Sequence, residues 1–285
     1  SIMLRKKSKR HFYIVTVIMV LLVIWTAWSN TTVGITHYTV ASDRLPASFD
    51  HYSIVVVSDL HNAEFGENNS QLIKLIEKEK PDIIVITGDL VDSNKTNIDI
   101  AQKLVGTLTG IAPCYYVTGN HEAWLGEQYQ ELESILLDEG VAILHDRAVQ
   151  LIKNTESIQL AGLDDPDFTD RAPLQQSMIK TKINNMNLTD NYCVLLSHRP
   201  EAFEDYVSEN IDLVLSGHAH GGQFRLPIIG GIVAPNQGLF PKYDAGIYSE
   251  NYTTMVVSRG IGNSIIPIRF NNRPEIISVE LICES

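Results

Sequence analysis

Side chains that can bind metal ions or transfer protons follow five apolar, β-branched segments of this sequence. The segments cover residues 53–58, 83–88, 115–119, 193–197 and 213–217. The side chains that follow them are Asp59, His61, Asp89, Asp92, Asn120, His121, His198, His218 and His220. Carboxylate, amide and imidazole ligands without a thiolate suit Mn, Fe or Zn rather than Cu(I) or an iron–sulfur cluster. The pattern therefore predicts a site for divalent metal ions.

The five apolar segments must position these side chains. Runs of apolar residues without polar alternation are typical of strands buried on both faces, in sheets that helices cover. In open α/β sheets, ligands bind beyond the carboxyl ends of the strands, so the side chains should converge at one edge. Five of the nine histidines lie close to such a strand end. A scatter of structural histidines would not follow strand ends.

The spacing of the candidate ligands indicates how they could hold two ions. Asp59 and His61 are two residues apart, and on an extended chain both side chains would leave the same side. Asp89 follows a glycine that lets the backbone turn sharply, so its carboxylate can bridge two ions. His218 and His220 repeat the two-residue spacing. We therefore expect a dinuclear centre.

Two adjacent divalent ions would make an electropositive pocket that suits an anionic phosphate ester. A water shared by both ions has a lowered pKa, becomes hydroxide at neutral pH and can attack phosphorus in line. The leaving alkoxide needs a proton, which His121 could donate, and Asp92 could hold that imidazole in the required tautomer. The predicted reaction is hydrolysis of a phosphomonoester or phosphodiester.

The motifs DLH (59–61), GDLVD (88–92), GNHE (119–122), SH (197–198) and GHAH (217–220) occur in this order. In order and spacing the set resembles the calcineurin-like metallophosphoesterase superfamily over residues 50–285. The resemblance implies an α/β fold, a four-layer αββα sandwich, and contact of His121 with the scissile phosphate, supported by Asp92. It implies a first metal ion held by Asp59, His61, Asp89 and His220. It implies a second one held by Asp89, Asn120, His198 and His218.

Two further features bear on the substrate. Ser/Thr protein phosphatases of this superfamily carry Arg where this chain has Ser93, which disfavours a phosphoprotein. HGGQ at 220–223, the loop through 241–243 and Ser258-Arg259-Gly260 resemble the membrane-anchored bacterial branch, in which some relatives act on lipid-linked or nucleotide-sugar substrates. Arg259 is a candidate phosphate ligand, with a structural salt bridge as the alternative. The apolar segment 221–240 could be a wall or lid for a lipid or nucleoside group, or a loop packed on the sandwich.

The N-terminal region predicts membrane attachment. Residues 1–11 form a basic flank expected on the cytoplasmic side, and residues 12–28 carry no charge and predict a single transmembrane helix. A cleavable signal sequence is the alternative, but the length of the apolar stretch, Trp25 and Trp28 favour an uncleaved anchor. Residues 29–49 predict a stalk and residues 50–285 the catalytic domain, which would lie outside the cytoplasm at the cell membrane.

Charge and cysteine content exclude other classes of function. The net charge is −12, and beyond the five Lys/Arg of the basic flank the chain has 17 basic against 34 acidic residues. A domain with this excess of acidic residues repels the phosphate backbone of nucleic acids. Nucleic-acid binding through a basic patch is therefore disfavoured. The three cysteines form no CxxC pair, which argues against a zinc ribbon or a disulfide framework. No feature predicts a protein partner.

Helices and strands alternate through the first half of the sequence, which predicts parallel strand pairs with right-handed crossovers. Helices are expected after Asn68-Asn69, after Asn97 and after the His121 loop. Residues 148–152 and 157–163 predict a hairpin, and residues 253–258 and 275–282 predict further strands. Two sheets packed face to face, with helices outside, fit this order better than one open sheet.

Three functions remain open. The main hypothesis is a membrane-tethered, dinuclear phosphoesterase that acts on a small or lipid-linked phosphate ester. The second is a pyrophosphatase that cleaves a nucleotide-sugar lipid precursor by the same chemistry. The third is an inactive, metal-stabilised module that binds partners in the cell envelope, although such a module would not need His121 and Asp92.

Overall fold

The computed structural model describes residues 2–169, 176–263 and 266–284. Ser1 of the predicted basic flank therefore lies outside the described residues. The helices are α1 (Ile2–Thr31), α2 (Ser70–Glu79), α3 (Ile98–Leu108), α4 (Asn120–Trp124), α5 (Gln128–Asp138), α6 (Gln176–Asn185) and α7 (Phe203–Ser208).

The strands are β1 (Gly34–Ser42), β2 (Tyr52–Val57), β3 (Ile83–Thr87), β4 (Cys114–Val117), β5 (Ala142–Ile143), β6 (Arg147–Lys153), β7 (Glu156–Gly162), β8 (Cys193–Leu196), β9 (Leu213–Ser216), β10 (Arg225–Leu226), β11 (Gly230–Gly231), β12 (Val233–Ala234), β13 (Gly238–Leu239), β14 (Gly246–Glu250), β15 (Thr253–Val257) and β16 (Glu275–Cys283). Each of the five apolar segments forms a strand, as predicted.

Two six-stranded sheets carry the fold. The first has the strand order β1-β16-β2-β3-β4-β5, and the second has the order β14-β15-β9-β8-β7-β6. Strands β2 to β5 pair in parallel, as do β7, β8, β9 and β15, so their carboxyl ends meet at one edge of each sheet. The predicted hairpin is β6 and β7, with Lys153 opposite Glu156. Strands β10 to β13 form two small hairpins outside the sheets.

Three apolar clusters show that the sheets and helices form four layers. One cluster joins the first sheet to α2, α3 and α5, and includes Ile84, Leu104 and Leu132. The second lies between the sheets, where Ile54 and Leu215 are fully buried. The third joins the second sheet to α6 and α7. This is the αββα sandwich that the sequence predicts. Strands buried on both faces need no polar alternation, which is why their segments are uniformly apolar.

The N-terminal helix is separate from this sandwich along most of its length. Residues Lys9–Thr31 are long and apolar enough to cross a membrane, and almost none of that stretch is buried. The predicted anchor, residues 12–28, lies within it. Its last turn contacts the domain, with Ser29 buried and Asn30 partly so.

The segment predicted as a stalk, residues 29–49, differs from that prediction. Gly34–Ser42 is the edge strand of the first sheet, paired in parallel with β16 over nine residues. An edge strand is partly exposed, and Val40 is the one buried residue of β1, so the segment lacks the apolar run of a central strand. Its partner is more than 230 residues away along the chain, so nothing in the neighbouring sequence indicates the pairing.

Two predicted helix starts are correct in position but differ in detail. Asn69 precedes α2 and Asn97 precedes α3, yet neither side chain caps its helix by a hydrogen bond. The Asn69 side chain instead accepts from the backbone N–H of Phe65 at 2.9 Å. Asn69 therefore stabilises the turn before the helix.

Candidate metal centre

The seven predicted metal ligands lie together where the carboxyl ends of β2, β3, β4, β8 and β9 meet. Every one of them is nine-tenths or more buried: Asp59, His61, Asp89, Asn120, His198, His218 and His220. The two sheets contribute from opposite sides, so the site forms only when the sandwich is assembled. The ligand atoms of six of them, all but Asn120, fall into two groups that share Asp89.

The first group consists of Asp59, His61, Asp89 and His220. His61 Nε2 lies 3.2 Å from His220 Nε2 and 3.5 Å from Asp89 Oδ2. His220 Nε2 lies 3.5 Å from Asp59 Oδ1. Two imidazoles and two carboxylates with atoms this close suit one transition-metal ion.

The second group consists of Asp89, His198 and His218. His198 Nε2 lies 3.2 Å from Asp89 Oδ2 and 3.1 Å from His218 Nδ1. His198 Nδ1 is 2.7 Å from the backbone carbonyl of Thr87, a bond that fixes the proton on Nδ1 and leaves the Nε2 lone pair for a metal ion. Because Asp89 Oδ2 is close to both groups, this carboxylate is placed to bridge two ions.

An unpartnered atom tests whether a cation fits the centre. Asn120 follows β4, is 3% exposed, and its Oδ1 has no hydrogen-bond partner among the described residues. A buried amide oxygen without a partner costs free energy unless something binds it, and a metal ion would do so. The residues present therefore fit the two ions that the sequence predicts.

The ligand loops adopt left-handed backbone conformations, and not the extended one expected for Asp59 and His61. The φ angles are 53° at Asp59 and 44° at His61, and Asp89, His218 and His220 also have positive φ. Such conformations cost free energy in residues other than glycine and cluster at functional sites. These tight turns direct the side chains into one space at the ends of the strands.

Two glycines allow the ligand loops to approach each other. A Cβ atom on Gly119 would overlap Asp89 Oδ1, and one on Gly217 would overlap Ser58 Oγ. The backbone N–H of His218 donates to both Asp59 oxygens, at 3.0 and 3.1 Å. The loops after β2, β3, β4 and β9 therefore hold one another directly.

The buried candidate ligands differ in protonation, because burial keeps two of these histidines neutral whereas Asp89 holds a proton on His198. Burial lowers the pKa of His61 to about 4 and that of His220 to about 3, so both are neutral ligands at neutral pH. Burial also lowers the pKa of His198, but the adjacent Asp89 carboxylate outweighs it and raises that pKa to about 10. A proton or a metal ion can supply the positive charge that Asp89 requires.

His121 lies beside the first group, with its ring centroid 4.5 Å from that of His61. The backbone N–H of Ser93 donates to His121 Nδ1 at 3.0 Å, and Ser93 Oγ is 3.1 Å away. In the neutral ring the proton is then on Nε2. Asp92 Oδ1 is 4.0 Å from Nδ1, an ion-pair distance longer than the two Ser93 contacts to the same atom. The catalytic role of Asp92 stays a prediction.

Comparison with known proteins agrees with this geometry. The family model of the calcineurin-like phosphoesterases matches residues 52–222, which include all seven candidate metal ligands. The chain belongs to the calcineurin-like phosphoesterase family. It is 31% identical over 255 residues to the uncharacterized metallophosphoesterase YkuE of Bacillus subtilis, covering 85% of this chain and 82% of that protein.

Two other relatives of this calcineurin-like phosphoesterase have informative names. The phosphodiesterase YaeI of Escherichia coli is 29% identical, with 81% of this chain and 82% of that protein covered. A transmembrane protein with metallophosphoesterase domain of Danio rerio is 31% identical, with 84% of this chain covered. The chain spans 55% of that longer relative. Together with the N-terminal apolar helix, this relative indicates membrane association.

Glu122 is a supporting residue that the sequence reasoning missed, although it ends the GNHE motif of this phosphoesterase. It is fully buried and accepts hydrogen bonds from the backbone N–H groups of Gly119, Asp89 and Leu90, at 2.7 to 2.8 Å. Burial and the Asp89 charge raise its pKa to about 7, whereas the N–H donors lower it. Its position between the loops after β3 and β4 could have been inferred from its place in the motif.

Arg199 is a second residue that was missed. It follows the ligand His198, is 3% exposed and makes a two-pronged ion pair with Asp165 at 2.6 and 2.7 Å. Its third nitrogen lies 3.3 Å from His218 Nε2, opposite the Nδ1 atom that faces the centre. The acidic turn 164–167 therefore supplies a buried counter-ion to Arg199 beside the candidate site. A buried Arg beside a ligand pair carries no sequence signature.

Arg259, the candidate phosphate ligand, follows β15 close to the first group. Its Nε is 3.7 Å from Glu275 Oε2, and its backbone N–H donates to the same carboxylate at 3.1 Å. This is the ion pair considered as the alternative in the sequence analysis. Contact of Arg259 with a substrate stays a prediction.

Proposed function

We propose that this chain is a membrane-anchored hydrolase of phosphate esters that uses two divalent metal ions. The observation that carries the proposal is the position of Asp89 Oδ2, 3.5 Å from His61 Nε2 of one ligand group and 3.2 Å from His198 Nε2 of the other. A carboxylate between two sets of nitrogen ligands is suited to bridging a pair of ions. Mn, Fe and Zn match these ligands.

Asp59, His61, Asp89 and His220 would hold one ion, and Asp89, Asn120, His198 and His218 the other. When bound, such a pair supplies acidified water for attack on phosphorus and positive charge for the phosphoryl oxygens. The protein groups keep the ligands in place: Thr87 holds the His198 ring, and Glu122 holds the backbone of Asp89.

His121 is the proposed proton donor to the leaving group. To act as the donor the ring must be the imidazolium, with its Nδ1 proton facing Ser93 Oγ, 3.1 Å away, so that giving the Nε2 proton to the leaving group returns the neutral ring. Asp92, 4.0 Å from Nδ1, would stabilise the positive charge on this ring electrostatically without a direct hydrogen bond. The Trp124 ring packs against the His121 ring at a tilt of 44°, with 4.9 Å between the ring centroids, and restricts its orientation.

The proposed substrate is a small or lipid-linked phosphate ester. The name of the related phosphodiesterase YaeI supports a diester, and the site geometry is equally compatible with a monoester. A pyrophosphate linkage in a nucleotide-sugar lipid precursor is the second candidate, because the same ligands serve either leaving group. The proposed location is the cell membrane, with one span and the domain outside the cytoplasm, since the basic flank precedes the apolar helix.

Contacts at the end of α1 support an anchor that is retained. The Arg273 guanidinium lies 4.6 Å from the Trp28 ring, and its Nε donates to Thr32 Oγ1 at 3.0 Å. Signal cleavage after Ser29 would remove the Trp28 side of this contact. Finding an N-terminus near Asn30 in the mature protein would contradict the retained anchor.

The test is hydrolysis of p-nitrophenyl phosphate, its bis-ester and a nucleoside diphosphate sugar by the full chain with Mn. Asp89→Ala should abolish both metal binding and hydrolysis, whereas His121→Ala should abolish hydrolysis and keep the metal. His37→Ala is the matched control, because this exposed histidine pairs with Glu79 far from the centre. Binding of two metal ions without hydrolysis of any of the three substrates would favour the inactive module.

A further inference from the structure

The last turn of α1 is bonded to the loop that precedes β16. Asn30 Nδ2 donates to the carbonyl oxygen of Arg269 at 2.8 Å, and Asn30 Oδ1 accepts from the Arg269 N–H at 2.8 Å. Arg273 adds contacts to Trp28, Thr32 and Val33. Two hydrogen bonds to one residue fix orientation as well as position, so the helix leaves the domain in a defined direction.

The same loop reaches the metal centre. The Arg269 side chain is fully buried, donates to the carbonyls of Arg259 and Gly262, and lies 3.4 Å from His220 Nδ1. One residue therefore contacts both the end of the apolar helix and a candidate metal ligand. The centre is consequently close to the end of the helix.

An exposed apolar surface lies beside this junction. We call it the apolar rim, and it consists of Leu226, Ile228, Ile229, Leu239, Phe240, Ile266 and Ile268. Among the described residues after α1, it contains seven of the thirteen large apolar side chains that are exposed. Ile228 is fully exposed, at the tip of the hairpin formed by β10 and β11. Clustered exposure of this kind marks an interaction surface.

Hydrogen bonds join the two parts of the apolar rim, the hairpins within residues 225–240 and the loop at residues 266–268. Gln223 Nε2 donates to the carbonyls of Ile266 and Ile268, at 2.9 and 2.6 Å. The Arg225 N–H donates to the Phe270 carbonyl at 3.0 Å, next to Arg269. The hairpins and the loop at the end of α1 therefore form one continuous surface.

We propose that the apolar rim inserts into the bilayer that α1 crosses, so that the metal centre opens at the membrane surface. Lipid is the occupant because the rim continues from the end of an apolar helix that is itself long enough to span a membrane. The charge of the segment that contains the rim also favours lipid. Residues 221–273 carry five Lys/Arg and two acidic residues, in a chain whose net charge is −12. Arg269 is buried, and Arg225 and Arg259 pair with Asp244 and Glu275. Lys242, two residues after Phe240, is exposed, and a cation beside inserted apolar side chains suits phospholipid headgroups.

The rim also borders the centre, which has a consequence for the substrate. Asn236, between β12 and β13, places its Nδ2 atom 3.2 Å from His218 Nε2, on the outer side of this candidate ligand, away from the Nδ1 atom that faces the centre. A phosphate group held at the headgroup level would therefore enter beside the ligand loops. If the proposed function holds, the substrate class is a phosphate ester whose other substituent is an acyl or isoprenoid chain that stays in the bilayer.

The test measures the depth of the rim in lipid. Ile228→Cys, Ile229→Cys or Leu239→Cys is introduced singly into full-length Cys283→Ser protein and labelled with bimane. Each labelled protein is placed in nanodiscs of equal parts phosphatidylcholine and phosphatidylglycerol. Cys114 and Cys193 are buried and do not compete for label. Ile152→Cys is the matched control, an exposed isoleucine on β6 at the edge of the second sheet. Acyl-chain brominated lipid and soluble iodide serve as the two quenchers.

If the rim inserts, brominated lipid should quench bimane severalfold more strongly at positions 228, 229 and 239 than at position 152. Iodide should quench more strongly at position 152 than at the three rim positions. Iodide access at 228 equal to that at 152 would overturn the proposal. Protection from iodide without quenching by lipid would also overturn it, and would indicate that a second copy or another protein covers the rim. The readout needs no activity, so it is separate from the hydrolysis of soluble esters that tests the proposed function.

Discussion

The Glu122 carboxylate holds Asp89 through the main chain, not through the Asp89 side chain. Glu122 Oε2 accepts from the Asp89 N–H at 2.8 Å and from the Gly119 N–H at 2.7 Å. The Asp89 residue that it holds is in a left-handed conformation, with φ of 53°. One buried carboxylate therefore stabilises the turn that directs the candidate bridging ligand into the centre.

Glu122→Gln should weaken metal binding while leaving every ligand in place. In the unaltered protein both Glu122 oxygens accept hydrogen bonds from backbone N–H groups. A glutamine amide has one acceptor oxygen, so its NH₂ group would point at backbone N–H donors and leave them without an acceptor. We expect Mn affinity to fall by about 10- to 100-fold, the range seen for groups that orient ligands. Titration calorimetry with Mn measures this. Glu131→Gln, at an exposed position of α5, is the control and should bind Mn like the unaltered protein.

His121→Gln should slow hydrolysis in proportion to the need of the leaving group for a proton. We expect a loss of about 10²- to 10⁴-fold in kcat for phenyl phosphate, because phenolate is a poor leaving group. The loss should be much smaller for p-nitrophenyl phosphate. Metal content, measured by elemental analysis, should not change. Equal losses with both esters would show that His121 does not donate the proton.

Asp92→Asn tests the electrostatic role of this carboxylate. Because Asp92 lies 4.0 Å from His121 Nδ1, its charge is expected to contribute about tenfold or less. As in His121→Gln, kcat should fall more for phenyl phosphate than for p-nitrophenyl phosphate, but by a smaller factor. A loss confined to stability, with kcat unchanged for both esters, would assign Asp92 to the Ser93-Asn94 turn, where it accepts from the Asn94 N–H at 2.7 Å.

His145→Gln should reduce stability at acidic but not at alkaline pH. Ion pairs with Asp164 and Glu133 raise the pKa of His145, so the folded state binds a proton more tightly than the unfolded state. This stabilisation is complete below about pH 6.5, the unfolded value, and is lost as pH rises through the higher folded value. Because the side chain is partly exposed, the loss should stay below about 1 kcal/mol. Urea unfolding of the variant and the unaltered protein, at one acidic and one alkaline pH, measures this loss of stability.

Arg269→Met should destabilise the domain and weaken the first metal ligand group. Burial lowers the pKa of Arg269 to about 10, so the guanidinium is still charged at neutral pH and donates to two buried carbonyls. Leaving these carbonyls unpaired should lower the free energy of unfolding by about 3 kcal/mol. Denaturant unfolding in detergent measures this. Arg147→Met is the control. It removes the hydrogen bond of an exposed guanidinium to the Ile143 carbonyl and should lower the free energy of unfolding by less than about 1 kcal/mol.

Local sequence patterns determined much of the fold and most of the site. Apolar runs of four to six residues identify β2, β3, β4, β8 and β9, because a strand covered on both faces must be apolar throughout. Residue types and motif order identified the candidate ligands, since all seven lie within four residues of the ends of these five strands. The approximate positions of α2, α3 and α5 also follow from local apolar spacing.

Tertiary structure alone decided which distant segments meet. His61 faces His220 across 159 residues, β1 pairs with β16, and Asn30 bonds to Arg269 across 239 residues. The supporting residues Glu122 and Arg199 acquire their roles only when the loops after neighbouring strands are packed together. Sequence patterns report the burial of a residue and its local conformation, whereas long-range pairing depends on the shape of the assembled layers. That is why the chemistry of the site was visible in the sequence and its attachment to the membrane helix was not.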